Sequence, residues 1–307
     1  MTEADFLAAL RRLPLHPGAR GLRDDAAVVG DLIVTTDTLV EWIHFLPADP
    51  APDVAWKLVA INLSDLAAKG AFPEGVLLNY PLRDEAWDAS FLTGLEEALR
   101  HYRVALIGGD TVSLPPSAPR VLTLTALGRS TVAPARGGAR AGDALWITGT
   151  IGDAGAGLAI ARGQDGPAAL LARYRRPQPR LAEGRALASV VNAMSDVSDG
   201  LLIDASRMAA ASGLAVVVDL DAVPLSPALA AWNPNRLAAV TAGDDYELLF
   251  ALPPERAPPV PAARIGAFAT GTGLSLTSGG DPLSLPARLG YEHGNDPNGL
   301  PAGTPGL

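Results

Sequence analysis

The chain of 307 residues contains no cysteine. That excludes thiol nucleophiles, thiolate metal sites and disulfides together, and leaves the redox compartment unreadable from cysteine usage. Lysine is nearly absent: Lys57 and Lys69 stand alone among 24 basic residues. No Gly-Lys pair occurs, so there is no P-loop, and no His-Arg-Asp catalytic loop of the protein-kinase type. No run of about 18 apolar residues is present to span a membrane. The N-terminus lacks a signal-peptide core and carries Glu3 and Asp5 early, which points to the cytoplasm. A surplus of positive charge is also missing. The net charge of −9 argues against a nucleic-acid surface, since phosphate backbones demand basic patches.

What the chain has is an apolar, foldable composition, 48% hydrophobic and 19% charged, long enough for two domains with their own cores. It also has aspartates set among small residues at the ends of apolar runs. These are Asp24-Asp25, Asp37 after Thr35-Thr36, Asp65, Asp110 after Gly108-Gly109, Asp196 and Asp199, and Asp244-Asp245. Singly, each is an ordinary capping or turn residue. Together they suit hard cations, because carboxylates, hydroxyls and carbonyls are the oxygen ligands that Mg²⁺ takes. Two carboxylates about 5 Å apart repel by roughly 3 kcal/mol at an effective dielectric of about 20, so a converging set needs cations. The companion of several Mg²⁺ ions is a polyphosphate, and the pattern points to a metal-nucleotide enzyme.

Periodicity predicts a helix over residues 3–12 and a strand pair 28–29 and 32–36 bent at Gly30-Asp31. A long helix follows, with Asp53 as N-cap and Gly70 beyond its end, placing Asn62, Asp65 and Lys69 near one another. Strands at 76–80, 104–108 and 121–127 surround a helix at 85–101. The Gly/Arg/Pro-rich stretch 133–142 reads as a linker. Beyond it come strand 143–148, helices 153–162 and 179–190, strand 193–196, helix 200–212, strand 214–220, helix 235–241, strand 246–252, and strands at 263–268 and 273–277. The expected domains are 1–137 and 138–291, with a disordered tail at 292–307.

Gly108-Gly109 offers N–H groups in a nest able to approach phosphate. The turn from Gly149 to Gly157 lacks the G-x-G-x-x-G spacing and reads as packing or a generic phosphate turn. His44 follows Asp37 by seven residues, and a structural and a catalytic reading both stand. His16, His101 and His293 form no metal-ligand spacing with it. Arg136 is either a solvated charge or a guanidinium beside a nucleotide phosphate.

The ordered set GLRDDAA, TTDTLVEWIHFLP, AWKLVAINLSDLAAKGA, LIGGDT, RGGARAGDALWITGTIGDAGAGL, RPQPR, DVSDGLLID and GDDYELLF resembles the thiamine-monophosphate kinase family. That family falls within a superfamily of ATP-using enzymes related to aminoimidazole ribonucleotide synthetase. The resemblance implies an α+β, two-domain protein: an N-terminal α/β domain whose sheet pairs across a homodimer, and a C-terminal α+β domain. It implies Mg²⁺-dependent transfer of a phosphoryl group from ATP to thiamine monophosphate, by direct in-line displacement. The metal positions carried over are Asp25, Thr35, Thr36, Asp37, Asp65, Asp110, Asp196 and Asp199, with Asp37, Asp65, Asp110 and Asp199 at the centre of catalysis. Nucleotide contacts fall on Gly109, Asp110, Arg136 and Ser198. Substrate contacts fall on His44 and on Asp244, where the family commonly has glutamate. The tail keeps Gly290, Tyr291 and His293, but Arg288 stands where an aromatic ring is usual. Two alternatives remain at this point: an ATP-dependent cyclase or synthetase of the same superfamily, and a non-catalytic metal-binding relative. Relatives that rely on cysteine or selenocysteine are disfavoured by the missing cysteine.

Overall fold

A computed structural model describes residues 2–292; the expected tail and His293 lie outside the described residues, apart from Glu292. The first half runs α1 (Glu3–Leu10), β1 (Ala27–Val29), β2 (Leu32–Val40), α2 (Ala51–Ala68), β3 (Phe72–Leu82), α3 (Glu85–Tyr102), β4 (Ala105–Ser113) and β5 (Val121–Arg129). Its strands form one sheet in the order β1-β2-β5-β3-β4, antiparallel except for the β3–β4 pair. β5 shows why one face is covered: Leu122, Leu124 and Ala126 are buried, while Thr123 and Thr125 alternate outward. Helix α2 lies on the covered face and packs also on α3. It begins two residues before the expected N-cap. Pro52 occupies the first turn, where its fixed φ suits helix entry, and Asp53 sits inside that turn paired with Arg176.

The second half runs β6 (Ala144–Thr148), α4 (Asp153–Ala161), α5 (Ala168–Arg175), α6 (Leu181–Ala188), β7 (Ala193–Asp196), α7 (Leu201–Ser212), β8 (Ala215–Asp219), α8 (Pro227–Trp232), α9 (Arg236–Thr241), β9 (Leu248–Leu252), β10 (Ala262–Ala269), β11 (Gly273–Ser278) and β12 (Asp281–Leu283). Its sheet order is β12-β11-β8-β10-β6-β9-β7. Helices α5 and α8 and strand β12 were not anticipated. The first begins with no side-chain cap to mark it, whereas Ser226-Pro227 at the start of α8 is a cap-plus-proline signal that was legible.

The two sheets meet through α2, which packs on α6 and β7 as well as on its own sheet, and is therefore buried on nearly every side. The segment RYRRPQPR straps the halves together from the second side. Tyr174 donates to Asp49 at 2.9 Å, Arg175 pairs with the same carboxylate at 3.1 Å, and Trp56 donates its indole N–H to Pro177 O at 3.1 Å.

Candidate active site

The seam between the halves gathers carboxylates from three elements. Asp25 comes from the segment before β1, Asp65 from the last turn of α2, and Asp196 from the end of β7. One oxygen of each lies within 4.8 Å of the others. Thr35 on β2 donates its hydroxyl to Asp65 and also approaches Asp25 O at 3.3 Å, while Ser64 donates to Asp196 at 2.6 Å. Asp37, two residues on from Thr35, shares its face of the sheet, and its N–H donates to Asn62 Oδ1 on α2 at 3.1 Å. Asp37 was expected just past a strand ending at residue 36, but β2 continues to Val40 and carries Asp37 in its interior.

Desolvation dominates the electrostatics. It pushes Asp65 well above the usual carboxylate range, reinforced by the charges of Asp37, Asp196 and Asp25. It raises Asp196 to about 8, with Asp25 adding to the push and Ser64 opposing it. Asp37 is raised to about 6 by desolvation and by Asp199 and Asp25. Asp25 goes the other way. Burial opposes its ionisation, yet Lys69 and Arg136 together outweigh that and hold it at about 2. The donor set is all hard oxygen, and desolvated carboxylates that would take up a proton in the absence of a cation fit Mg²⁺.

Not every expected ligand joins this group. The Thr36 hydroxyl turns to the opposite face, donating to Leu124 O and accepting from Thr125. Asp199 pairs with Arg207 at the rim. Asp110 is on β4 at the sheet edge, where register places it level with Asn79, Thr123 and Thr38. Three inter-strand spacings, about 14 Å, separate it from β2. Gly108 and Gly109 are ladder-paired residues inside β4, which extends to Ser113 instead of ending at residue 108, so they form no loop nest. Gly109 is required there by packing: a Cβ would lie 1.8 Å from Leu78 O, at a φ of 150°.

Among the residues expected to meet a nucleotide, Arg136 is committed to Asp25 through its guanidinium and to Asp24 through its N–H. The Ser198 and Asp199 N–H groups both donate to buried Asp204 at 3.1 Å, which shapes the loop before α7. Asp244 docks on that loop, its N–H donating to Ser198 O at 2.8 Å. One Asp244 oxygen meets Lys57 Nζ at 2.7 Å and the other accepts from Tyr246 at 3.0 Å. Asp244 and Tyr246 both hold positive φ, 70° and 51°, a strain concentrated at this loop. His44 lies in the turn after β2. Its Nδ1 accepts from Val40 N–H at 3.0 Å, which in the neutral ring leaves the proton on Nε2.

The glycine-rich turn before α4 resolves as packing. Asp245 accepts from Gly152 N–H at 2.8 Å and Ala154 N–H at 3.4 Å, so an internal carboxylate takes the place an incoming phosphate would need. A Cβ on Gly149 would collide with Glu247.

Two domain models match along the chain, AIR synthase related protein, N-terminal domain, over residues 23–130 and the corresponding C-terminal domain over 140–264. The thiamine-monophosphate kinase of Caulobacter vibrioides is 40% identical, covering 95% of this chain and 91% of that protein. That of Escherichia coli K12 is 38% identical over 89% of this chain and 91% of its own. The structure of AaThiL complexed with AMPPCP and TMP superposes with a TM-score of 0.84 at 27% identity, covering 95% of this chain and 97% of that one. The chain belongs to the thiamine-monophosphate kinase family.

Against that family background, several residues at the site had been given no role by the reading of the sequence, although Lys69 was placed near Asn62 and Asp65. Lys69 contacts both Asp24 and Asp25, and Lys57 holds Asp244. Asp204 organises the loop and Arg207 pairs with Asp199. Asp204 was visible as the last residue of DVSDGLLID, five positions from Asp199. The lysines had a signal too, since both lie on α2 or at its end and are the only two in the chain.

Proposed function

We infer that this chain transfers the terminal phosphoryl group of ATP to thiamine monophosphate, forming thiamine diphosphate and ADP. The observation that carries this reading is the desolvated trio Asp25, Asp65 and Asp196, set in a chain that matches thiamine-monophosphate kinases over nearly its whole length. Asp25, Asp65 and Asp196, with Thr35 and Asp37 beside them, would hold Mg²⁺, which when bound neutralises phosphate charge and orients the oxygens. Asp199, at the rim, and the Thr36 main chain extend the same ligand set.

The chain's own residues do the rest by positioning. An acceptor phosphate oxygen is already anionic, so no strong general base is needed. What must be overcome is repulsion between two phosphates and the cost of aligning them. Arg136 and the Ser198 loop flank the cluster on the side we assign to ATP. His44, with Nε2–H as donor, is placed for the acceptor phosphate, and Asp244 for the cationic part of thiamine.

Asp110 and Gly109 enter this scheme through a second copy. β4 is an edge strand with Leu106, Ile107 and Val112 about half exposed, an unprotected edge that a monomer would have to shield. A homodimer closed through this sheet covers that edge and carries Asp110 toward the site of the neighbouring chain. We place the domain boundary at residues 137/138. Among the described residues no helix is long and apolar enough to cross a membrane, and we place the enzyme in the cytoplasm.

ATP consumption with and without thiamine monophosphate tests the reading. Turnover is expected only when thiamine monophosphate and Mg²⁺ are both present, and not with unphosphorylated thiamine. ATP-dependent conversion of a formylglycinamidine-type substrate, with thiamine monophosphate inert, would move the chain to the cyclase branch.

A further inference from the structure

Helix α2 ends on a lysine that the scheme above does not use. Lys69 is its C-cap residue, and the side chain is 0% exposed. The ammonium donates to Pro134 O and to Met194 O, each at 3.2 Å, and so is pinned between the inter-domain segment and β7. It lies 2.5 Å from Asp24 Oδ1 and 2.6 Å from Asp25 Oδ2. Asp25 Oδ2 has no aligned hydrogen-bond donor, so this last pairing is one of charge. The other Asp25 oxygen is taken by Arg136. An ammonium withdrawn completely from water is costly unless it is paired, and an apolar residue would complete the end of α2 at no such cost. Neither packing nor helix propensity therefore accounts for a lysine here. Its place does: it reaches the Asp24-Asp25 pair and is held there by two backbone carbonyls, Pro134 O and Met194 O.

We propose that Lys69 is a resident cation of the metal site, a positioning residue that holds Asp24 and Asp25 in place before any ion binds and takes up charge that a further divalent ion would otherwise neutralise. This rests on the reading of Asp25, Asp65 and Asp196 as metal ligands. Without Lys69, Asp24 and Asp25 face one another with Arg136 and Arg20 as their remaining cations, and the need for Mg²⁺ grows.

The test compares the full chain with Lys69→Met, which keeps length and removes charge, by thermal unfolding in chelator and in saturating Mg²⁺, with calorimetric counting of bound Mg²⁺. Mg²⁺ is expected to raise the Tm of Lys69→Met by about 4 °C or more beyond its effect on the natural chain, with additional Mg²⁺ bound per chain. Equal Mg²⁺ increments and equal ion counts in both proteins would overturn the proposal and leave the metal site standing. No Mg²⁺ response in either protein would instead sink the metal site itself. Should Lys69→Met fail to fold, a crystal structure of the natural chain with Mn²⁺ decides: Lys69 Nζ still against Asp24 and Asp25 supports the proposal, and an ion in its place ends it.

Discussion

Two groups of enclosed acids, one within the GDDYE segment and one at the seam between the halves, are solved in opposite ways. Glu247 is completely buried and closed by the chain itself: Arg173 at 2.8 Å, Arg180 at 2.6 Å and the Thr148 hydroxyl at 2.7 Å take up its oxygens. Asp245 is likewise finished by the first N–H groups of α4. Among the described residues, Asp65 and Asp196 are each met by one hydroxyl, from Thr35 and Ser64. Among the described residues, two guanidinium groups thus pair with a structural carboxylate and no cation pairs directly with two of the three clustered ones. A buried charge that a protein leaves unpaired is a place reserved for something from solution. Burial alone does not distinguish the two groups; the inventory of partners does.

The comparison breaks first under amide substitution. Asp65→Asn or Asp37→Asn should lower kcat at least about 100-fold, since losing a ligand to a charged transition state forfeits about 3 kcal/mol or more. The same change should leave the metal-free Tm unchanged or higher, because it relieves repulsion. Near-natural turnover in a folded Asp37→Asn would remove that residue from the site. Glu247→Gln should behave in reverse, lowering stability by about 3 kcal/mol in denaturant titration by leaving Arg173 and Arg180 without their buried partner. A Glu247→Gln protein as stable as its parent would show that the ion cluster is ornamental.

A finer test uses pH. In metal-free protein Asp37 and Asp196 hold protons up to about 6 and about 8, whereas in the unfolded chain they release them near the ordinary 3.8. Between those limits the native state binds more protons than the unfolded one, so stability should fall as pH rises from about 4 to about 8. Asp245, also raised, adds the same slope with or without metal. Saturating Mg²⁺ binds the ionised cluster only and should flatten the dependence. Thermal scans across that range with chelator and with Mg²⁺ would give parallel curves if the cluster were closed like Glu247.

The smallest effect concerns the loop itself. Asp244 is the partly open acid of GDDYE, its side chain 31% exposed, and it faces Lys57 where Asp245 and Glu247 face inward. Asp244→Ala should raise KM for thiamine monophosphate about tenfold, a loss of about 1.4 kcal/mol, while KM for ATP moves little. Equal shifts in both would place Asp244 in general scaffolding.

Much of this was readable in advance because it depends on local rules. Alternation of apolar residues with threonine announced β5, and apolar spacing announced α2 and α3, since periodicity reports which face is buried. The acids Asp25, Asp65 and Asp196 were selected as types suited to a hard cation. What misled was local too. Gly108-Gly109 has the composition of a phosphate nest but serves the contact of β4 with β3, and the turn before α4 has the composition of an anion site already filled by Asp245.

By itself the sequence determined the chemistry on offer: no thiols, almost no lysine, many oxygen ligands, and eight strings in the order of one kinase family. Only the tertiary structure decided which acids meet. Asp25, Asp65 and Asp196 are separated by 40 and 131 residues along the chain and converge because α2 is gripped by both sheets. Asp110, with equal claim on paper, is carried about 14 Å away by strand order. Whether a carboxylate binds a metal or an arginine depends on the partners that packing brings within a few ångströms, and those partners lie far apart in the chain.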